Sequence, residues 1–322
     1  MFALTAITSW HWVAFVGLVL VFLAADLGVF HREAHVVKFK EALLWTVVWF
    51  SLAVLFAVGL SQIRSDDEAL EFGTGYIIEL SLSMDNVFVI ALIFAYFRVP
   101  LAFQHRVLFW GILGALVMRG LMIGIGSALV HRFHWMLYVF GAFLIYTGIK
   151  MVFTSEEGVH PEKNPVIRAT QKLFPVSTDF VGQKFLTRIN GKRALTPLAL
   201  VLLMVETTDL IFAVDSIPAI FAVTQKPFIV FTSNVFAILG LRSLYFVLAN
   251  AIGYFRYLKI GLSAVLIFIG AKMLLPLLQG RLNLLPDFEL PTTSALVIVA
   301  GIILVSILSS VISARREALK KK

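Results

Sequence analysis

The stretch Leu198-Ala-Leu-Val-Leu-Leu-Met-Val-Glu-Thr-Thr-Asp-Leu-Ile-Phe-Ala-Val-Asp-Ser216 places the carboxylates of Glu206, Asp209 and Asp215 inside an apolar run. The whole run, 195–223, is long enough to cross the hydrocarbon core of a bilayer as an α-helix. A carboxylate at mid-membrane costs roughly 2.5–3.5 kcal/mol. These acids therefore need a partner cation, a solvated cavity or a bound metal ion.

A second apolar run, 74–97, carries the related stretch Glu79-Leu-Ser-Leu-Ser-Met-Asp85-Asn86. Both stretches place two carboxylates six residues apart and follow the second with a small polar residue. With Asp26 in the first apolar run, six acids fall in such runs. Left uncompensated they would cost about 15–20 kcal/mol, more than the roughly 5–15 kcal/mol that holds a protein folded.

The composition predicts an all-α polytopic membrane protein. Of 322 residues, 60% are hydrophobic and only 14% are charged. Hydropathy predicts about nine transmembrane helices, at 11–30, 41–60, 74–97, 107–130, 135–153, 195–223, 228–250, 258–278 and 292–312. The absence of cysteine excludes disulfides and thiolate metal sites, which leaves mainly oxygen ligands for a metal ion.

The net charge of +8 comes from basic residues that fall mostly on one side of the predicted membrane. When the loops are assigned alternately to two sides, one side holds 19 Lys and Arg and the other holds four. This asymmetry predicts an N-terminus outside and a cytoplasmic C-terminus in a multi-pass protein of the cell inner membrane. The basic excess thus indicates topology and not a nucleic-acid partner.

The chain is predicted to form a single membrane domain over 1–322 with two three-helix repeats, 74–153 and 195–278. Peripheral helices (11–60) precede the repeats, a cytoplasmic loop (154–194) connects them and a final helix (292–312) follows. The repeats end alike, with Ala142-Phe-Leu-Ile-Tyr-Thr-Gly-Ile-Lys-Met and Ala264-Val-Leu-Ile-Phe-Ile-Gly-Ala-Lys-Met. Because each has an odd number of spans, the second should enter the membrane from the opposite side, as in many secondary transporters.

Helical periodicity separates the acids into different faces. On a straight helix Glu79 and Asn86 share a face while Asp85 points away, and Asp215 likewise diverges from Asp209. Either two polar clusters form, or the helices unwind near the second acids. Pro218 favours unwinding in the second copy, because proline lacks a backbone donor. Arg119 and Arg242, one in each repeat, are predicted to be structural counter-ions.

Enzymatic function is not expected, because several motifs are missing. No Gly-x-Gly-Asp, His-Glu-x-x-His or Gly-rich Lys-Ser/Thr motif occurs in the sequence. No tightly bound cofactor is therefore expected, and a transport activity would be driven by an ion gradient or the membrane potential.

The acid motifs resemble those of the TerC family of integral membrane proteins, named for tellurium resistance. The resemblance runs from about Asp26 to the end of the eighth span, and includes Glu206-Thr-Thr-Asp-Leu-Ile-Phe-Ala-Val-Asp-Ser-Ile-Pro-Ala-Ile-Phe221 and Thr232-Ser-Asn-Val-Phe-Ala-Ile-Leu-Gly-Leu-Arg242. It implies an inner-membrane protein related to the lysine-exporter superfamily, with manganese efflux and metal supply to exported proteins as family activities. The family's intramembrane acids correspond to Glu79, Asp85, Glu206, Asp209 and Asp215.

These observations together predict a divalent-cation exporter, with Mn²⁺ as the preferred substrate, that works by alternating access. Hard oxygen ligands suit Mn²⁺ or Ca²⁺. The predicted metal ligands are Asp85, Glu206, Asp209 and Asp215, helped by Glu79, Asn86, Ser216 and Asp26. Protons are the expected counter-ion, because a desolvated carboxylate takes up a proton when the metal leaves. The alternatives are a Ca²⁺/H⁺ exchanger and a membrane scaffold in the response to metal or tellurite stress.

Overall fold

The computed structural model describes residues 7–25, 38–153, 161–189, 191–249, 257–281 and 290–320. Ten α-helices lie in these ranges: α1 Ser9–Ala25, α2 Phe39–Ile63, α3 Asp66–Tyr96, α4 Leu101–Arg132, α5 Met136–Phe153, α6 Pro165–Leu173, α7 Pro197–Phe221, α8 Pro227–Ala249, α9 Leu258–Pro276 and α10 Thr292–Lys320. Two short strands, β1 Leu186–Ile189 and β2 Lys192–Leu195, pair as an antiparallel hairpin between α6 and α7.

The all-α polytopic fold is confirmed. Eight helices, α2 to α5 and α7 to α10, are long and apolar enough to cross a membrane, and α1 is a shorter apolar helix. Backbone groups in hydrocarbon have no water to bond, so helices satisfy them internally. The eight long helices together with α1 occupy the positions of the nine predicted spans.

Local side-chain caps set where the central helices begin. The Ser65 side chain accepts a hydrogen bond from the Glu68 backbone N–H, and acidic residues fill the first turn of α3, where they favour the helix dipole. Thr196 caps α7 in the same way by accepting from the Ala199 backbone N–H. Pro197 follows at the first position of α7, where a missing N–H costs nothing.

The helix α8 lies at the centre of the bundle, since 94% of its span is buried. The helices α2, α5 and α10 lie at the periphery, with only 17–22% of each span buried. Across the halves, α3 packs on α8, α4 on α7 and α5 on α9. These pairs are the ones that a two-fold relation between the repeats would produce. The inverted orientation of the halves stays a prediction.

The contact between α5 and α9 brings two backbones together. A Cβ added at Gly141 would lie 3.0 Å from the Gly270 carbonyl oxygen, and one added at Gly148 would lie 2.9 Å from the Ser263 carbonyl oxygen. Small residues at a helix interface permit this close approach. Side chains at these glycines would force the third helices of the repeats apart.

The connector 154–194, predicted as a loop, contains ordered structure in its described part, 161–189 and 191–194. Ile167 of α6 is buried, and the Asn164 side-chain amide contacts Met204 Sδ of α7 at 3.3 Å. Phe185 packs edge-on against Trp110 of α4, with ring centroids 6.5 Å apart. The connector is therefore attached to the ends of α4 and α7.

Cysteine labelling tests the predicted topology. Cysteines introduced at Thr170 of the connector and at Gln225, an exposed residue between α7 and α8, should react with a membrane-impermeant reagent from opposite sides. The chain has no native cysteine, so the background is low. Labelling of both positions from outside in intact cells would contradict the predicted topology.

Candidate cation site

Arg119 of α4 is the centre of a buried polar cluster and is only 3% exposed. Its Nη2 donates to Asp209 Oδ1 at 3.0 Å and its Nε to Asp209 Oδ2 at 3.3 Å. Its Nη1 donates to Asn234 Oδ1 at 3.1 Å and also forms an ion pair with Glu79. The predicted role of Arg119 as a counter-ion is thus confirmed.

The cluster forms where α3, α4, α7 and α8 meet. Asn86 of α3 donates from Nδ2 to Asp209 Oδ1 at 2.7 Å, so the aspartate receives bonds from two helices. Glu79 and Asn86 are fully buried, as their shared helical face predicts. The acid motifs of the two repeats therefore meet at Glu79 and Asp209, which occupy the first acid position of each motif.

The electrostatic balance of this cluster is negative. Two carboxylates, Glu79 and Asp209, share one guanidinium, and Asn86 and Asn234 add only neutral dipoles. Buried charges are stabilised when paired and hydrogen-bonded, but taking each ion out of water still costs several kcal/mol. The formal charge of this cluster is therefore negative by one unit.

Glu206 lies one turn before Asp209 on α7 and reaches a different neighbour. Its carboxylate covers Gly114 of α4, where an added Cβ would overlap it. One oxygen, Oε2, is buried and has no hydrogen-bond partner among the described residues. The negative charge of Asp209 repels the Glu206 carboxylate. Glycine at 114 therefore makes the space that this carboxylate fills.

The second acids of the motifs are placed differently from the first. Asp85 and Asp215 are half-buried, whereas Glu79 and Asp209 are buried. The positive charge of Lys150 attracts the Asp215 carboxylate. Asp85 also interacts with a neighbouring group. Asp26 lies outside the described residues.

The helix α7 does not unwind at Pro218. It continues to Phe221, and the backbone N–H of Ala222 bonds to the Pro218 carbonyl at 3.2 Å. Pro218 lies in the last turn, so only one hydrogen bond of the helix is lost to the missing donor. The expected unwinding beside Asp215 is therefore wrong.

Buried oxygens without partners concentrate on the two motif helices. Among the described residues, six buried side-chain oxygens have neither a hydrogen-bond partner nor an ion pair: Glu79 Oε2, Ser83 Oγ, Asn86 Oδ1, Glu206 Oε2, Ser216 Oγ and Ser263 Oγ. Five of the six belong to α3 or α7. An unpaired buried oxygen is costly in a protein interior, and hard oxygens are the ligands that Mg²⁺, Ca²⁺ and Mn²⁺ prefer.

The predicted metal ligands that the structure describes do not gather around one point. No group of three Asp, Glu, His or Cys side chains that could hold a metal ion occurs in the part of the chain that the structure describes. The structure brings Glu79, Asn86 and Asp209 together in one cluster. Glu206 lies near enough to Asp209 for their like charges to repel each other. The assignment of all eight residues to one metal site stays a prediction.

Sequence reasoning did not assign Asn234 to the site. Asn234 is fully buried and accepts a hydrogen bond from Arg119. The polar group Thr232-Ser-Asn234 stands out in its apolar run, but the sequence does not reveal which helix it contacts. Arg242 contacts His105 Nε2 at 3.1 Å and has a further partner, so its role as a counter-ion stays a prediction.

The chain is similar to known proteins along most of its length. A family model described as "Integral membrane protein TerC family" matches residues 64–318. A Myxococcus xanthus protein named "Uncharacterized membrane protein STKORF319" is 50% identical over 304 residues, which cover 94% of this chain and 92% of that protein. An Escherichia coli K12 protein named "Putative membrane-bound redox modulator Alx" is 44% identical over 304 residues, 92% of each chain. No solved structure matches this sequence.

Proposed function

Because the chain belongs to the TerC family of integral membrane proteins, we propose that it is a secondary transporter that exports divalent cations from the cell. Mn²⁺ is the first substrate we propose, and protons are the counter-ion. The orientation would be that of an inner-membrane protein with its N-terminus outside and its C-terminus in the cytoplasm. The observation that carries this proposal is the set of buried, unpartnered oxygens on α3 and α7.

The ion would bind between the two motif helices. Glu206 is the strongest candidate ligand, because its carboxylate has an oxygen without a hydrogen-bond partner in the described part of the chain and lies in the space left by Gly114. Asn86 Oδ1 is a further neutral oxygen, on the residue whose Nδ2 donates to Asp209. Asp209 would join them when a movement of α4 withdraws Arg119, so that the arginine neutralises the site whenever the metal is absent.

This exchange of Arg119 for a metal ion gives alternating access a physical basis. In the arginine-paired state, Glu79 and Asp209 hold α3, α4 and α7 together. A divalent ion supplies twice the charge of the guanidinium, so its binding would compete with the ion pairs. Proton uptake by the carboxylates would complete the cycle after the metal leaves. No catalytic chemistry is proposed for the chain.

The name of the Escherichia coli relative refers to redox modulation, and a thiol mechanism for such a role has no support in this sequence. The chain contains no cysteine, so it has no thiol for disulfide exchange. A role as a scaffold, with structural acids only, is a further alternative. This role predicts that function survives the substitution Glu206→Gln.

Transport by the purified protein in liposomes tests the proposal. Mn²⁺ flux should exceed that of protein-free liposomes, depend on the proton gradient at a clamped membrane potential, and fall strongly in Glu206→Gln. Ca²⁺ and Mg²⁺ are measured in parallel. Flux of Ca²⁺ without Mn²⁺ would identify a Ca²⁺/H⁺ exchanger, and indifference to a collapsed proton gradient would eliminate proton antiport. No flux of any of the three ions would overturn the proposal.

A further inference from the structure

The hairpin of the connector forms an open basic cleft at one end of the bundle. The cleft has a volume of about 540 Å³ and is lined by Lys184, Leu186, Thr187, Arg188 and Arg193. Three of these five residues are basic and none is acidic. The lining therefore favours an anionic ligand.

The register of the hairpin places two arginines side by side. Arg188 of β1 pairs directly with Arg193 of β2, so both side chains project from the same face of the hairpin. Like charges directly opposite each other destabilise an antiparallel pair. Within the described residues neither arginine forms an ion pair that would offset this repulsion. An anion between them would provide that offset.

The cleft is held beside the start of a membrane helix. The strand β2 ends at Leu195, and α7 begins at Pro197. Thr196, which is fully buried between them, donates from Oγ1 to the Lys184 carbonyl at 2.7 Å and from its backbone N–H to the Phe185 carbonyl at 3.0 Å. These bonds fix the cleft beside the first turn of α7, which is long and apolar enough to cross a membrane.

Apolar and aromatic side chains around the cleft fit a bilayer surface. Leu186 is 59% exposed, and Phe174, which precedes the residue whose carbonyl accepts from the Leu195 backbone N–H, is 50% exposed. Trp110, whose ring contacts Phe185, is partly exposed, as tryptophans at the membrane interface are. Exposed apolar residues next to basic ones are typical of segments that lie on the headgroup region.

We propose that the cleft of Lys184, Arg188 and Arg193 binds the phosphate headgroup of an anionic phospholipid from the leaflet beside the connector. A lipid is favoured over a free phosphate because the cleft lies beside the first turn of a candidate membrane span, where lipid headgroups would be concentrated. The predicted topology places this leaflet on the cytoplasmic side, whose surface potential is negative. This binding site is separate from the cation site and holds whether or not the protein transports metal.

Lipid binding to the full-length protein in detergent tests the proposal. Short-chain phosphatidylglycerol should bind at least tenfold more tightly than short-chain phosphatidylcholine, measured by native mass spectrometry or by thermal stabilisation. The substitution Arg193→Gln should weaken phosphatidylglycerol binding about fivefold, which corresponds to about 1 kcal/mol for one basic residue at a bilayer surface. Adding Arg188→Gln should weaken it about fivefold again.

Lys192→Gln is the matched control. Lys192 precedes Arg193, pairs with Ile189 and projects from the opposite face of the hairpin, so it loses the same charge without lining the cleft. It should retain phosphatidylglycerol binding within about twofold. Equal weakening by Lys192→Gln and Arg193→Gln would overturn the proposed cleft, as would equal affinity for the two lipids. Displacement of the lipid by an equal concentration of inorganic phosphate would show a free-phosphate site instead.

Discussion

Arg119→Gln is expected to destabilise the protein by about 3–5 kcal/mol, because it leaves two buried carboxylates without their shared cation. Glu79 is fully buried and Asp209 is 4% exposed, so water cannot replace the guanidinium. The variant should show reduced abundance in the membrane and a lower unfolding temperature in detergent. Arg132→Gln is the matched control, since it makes the same change at an exposed end of the same helix.

A second substitution separates charge from packing in this prediction. Wild-type Arg119, Glu79 and Asp209 sum to one negative charge, whereas Arg119→Gln leaves two. The double variant Arg119→Gln/Asp209→Asn restores a total of one negative charge and should recover part of the lost stability. If Arg119→Gln unfolds at the same temperature as Arg132→Gln, the cluster does not stabilise the bundle.

Glu206→Gln is expected to lower divalent-cation export about ten- to a hundredfold while leaving protein abundance near wild type. The amide keeps the shape of the side chain but loses its charge, and bonds to a charged group contribute about 1.5–3 kcal/mol. Unlike Asp209, this carboxylate forms no ion pair with a basic side chain of the described residues, so its neutralisation leaves no arginine unpaired. The measurement is Mn²⁺ flux per reconstituted protein.

Two further variants delimit the effect of Glu206→Gln. Asp67→Asn makes an equivalent carboxylate-to-amide change at an exposed residue in the first turn of α3 and should transport normally. Gly114→Ala should also reduce flux, because the added methyl group overlaps the Glu206 carboxylate and must displace it. Wild-type flux in Glu206→Gln at normal abundance would remove Glu206 from the site.

The membrane helices could be predicted from sequence because hydrocarbon imposes one backbone solution on each apolar run. The predicted span 135–153 corresponds to α5 at Met136–Phe153, and 258–278 to α9 at Leu258–Pro276. The connector could not be predicted in this way. Its hairpin depends on contacts with α4 and α7, such as Phe185 on Trp110, which no local pattern reveals.

For the candidate site, the sequence could predict which residues share a helix face but not which residues contact each other between helices. Periodicity correctly grouped Glu79 with Asn86, since residues seven apart share a face. It could not show that Asp209 would receive bonds from both Asn86 and Arg119, because those contacts depend on how three helices pack. The effect of Pro218 was overestimated because its consequence depends on where α7 ends, three residues later.

The close contact between α5 and α9 is self-complementary. Gly141 corresponds to Ser263 in the repeat alignment and Gly148 to Gly270, yet Gly141 meets Gly270 and Gly148 meets Ser263. Each third helix thus presents the same two positions to the other in antiparallel order, as in an isologous interface between two identical chains. One short pattern of small residues, used twice, therefore supplies both sides of this contact.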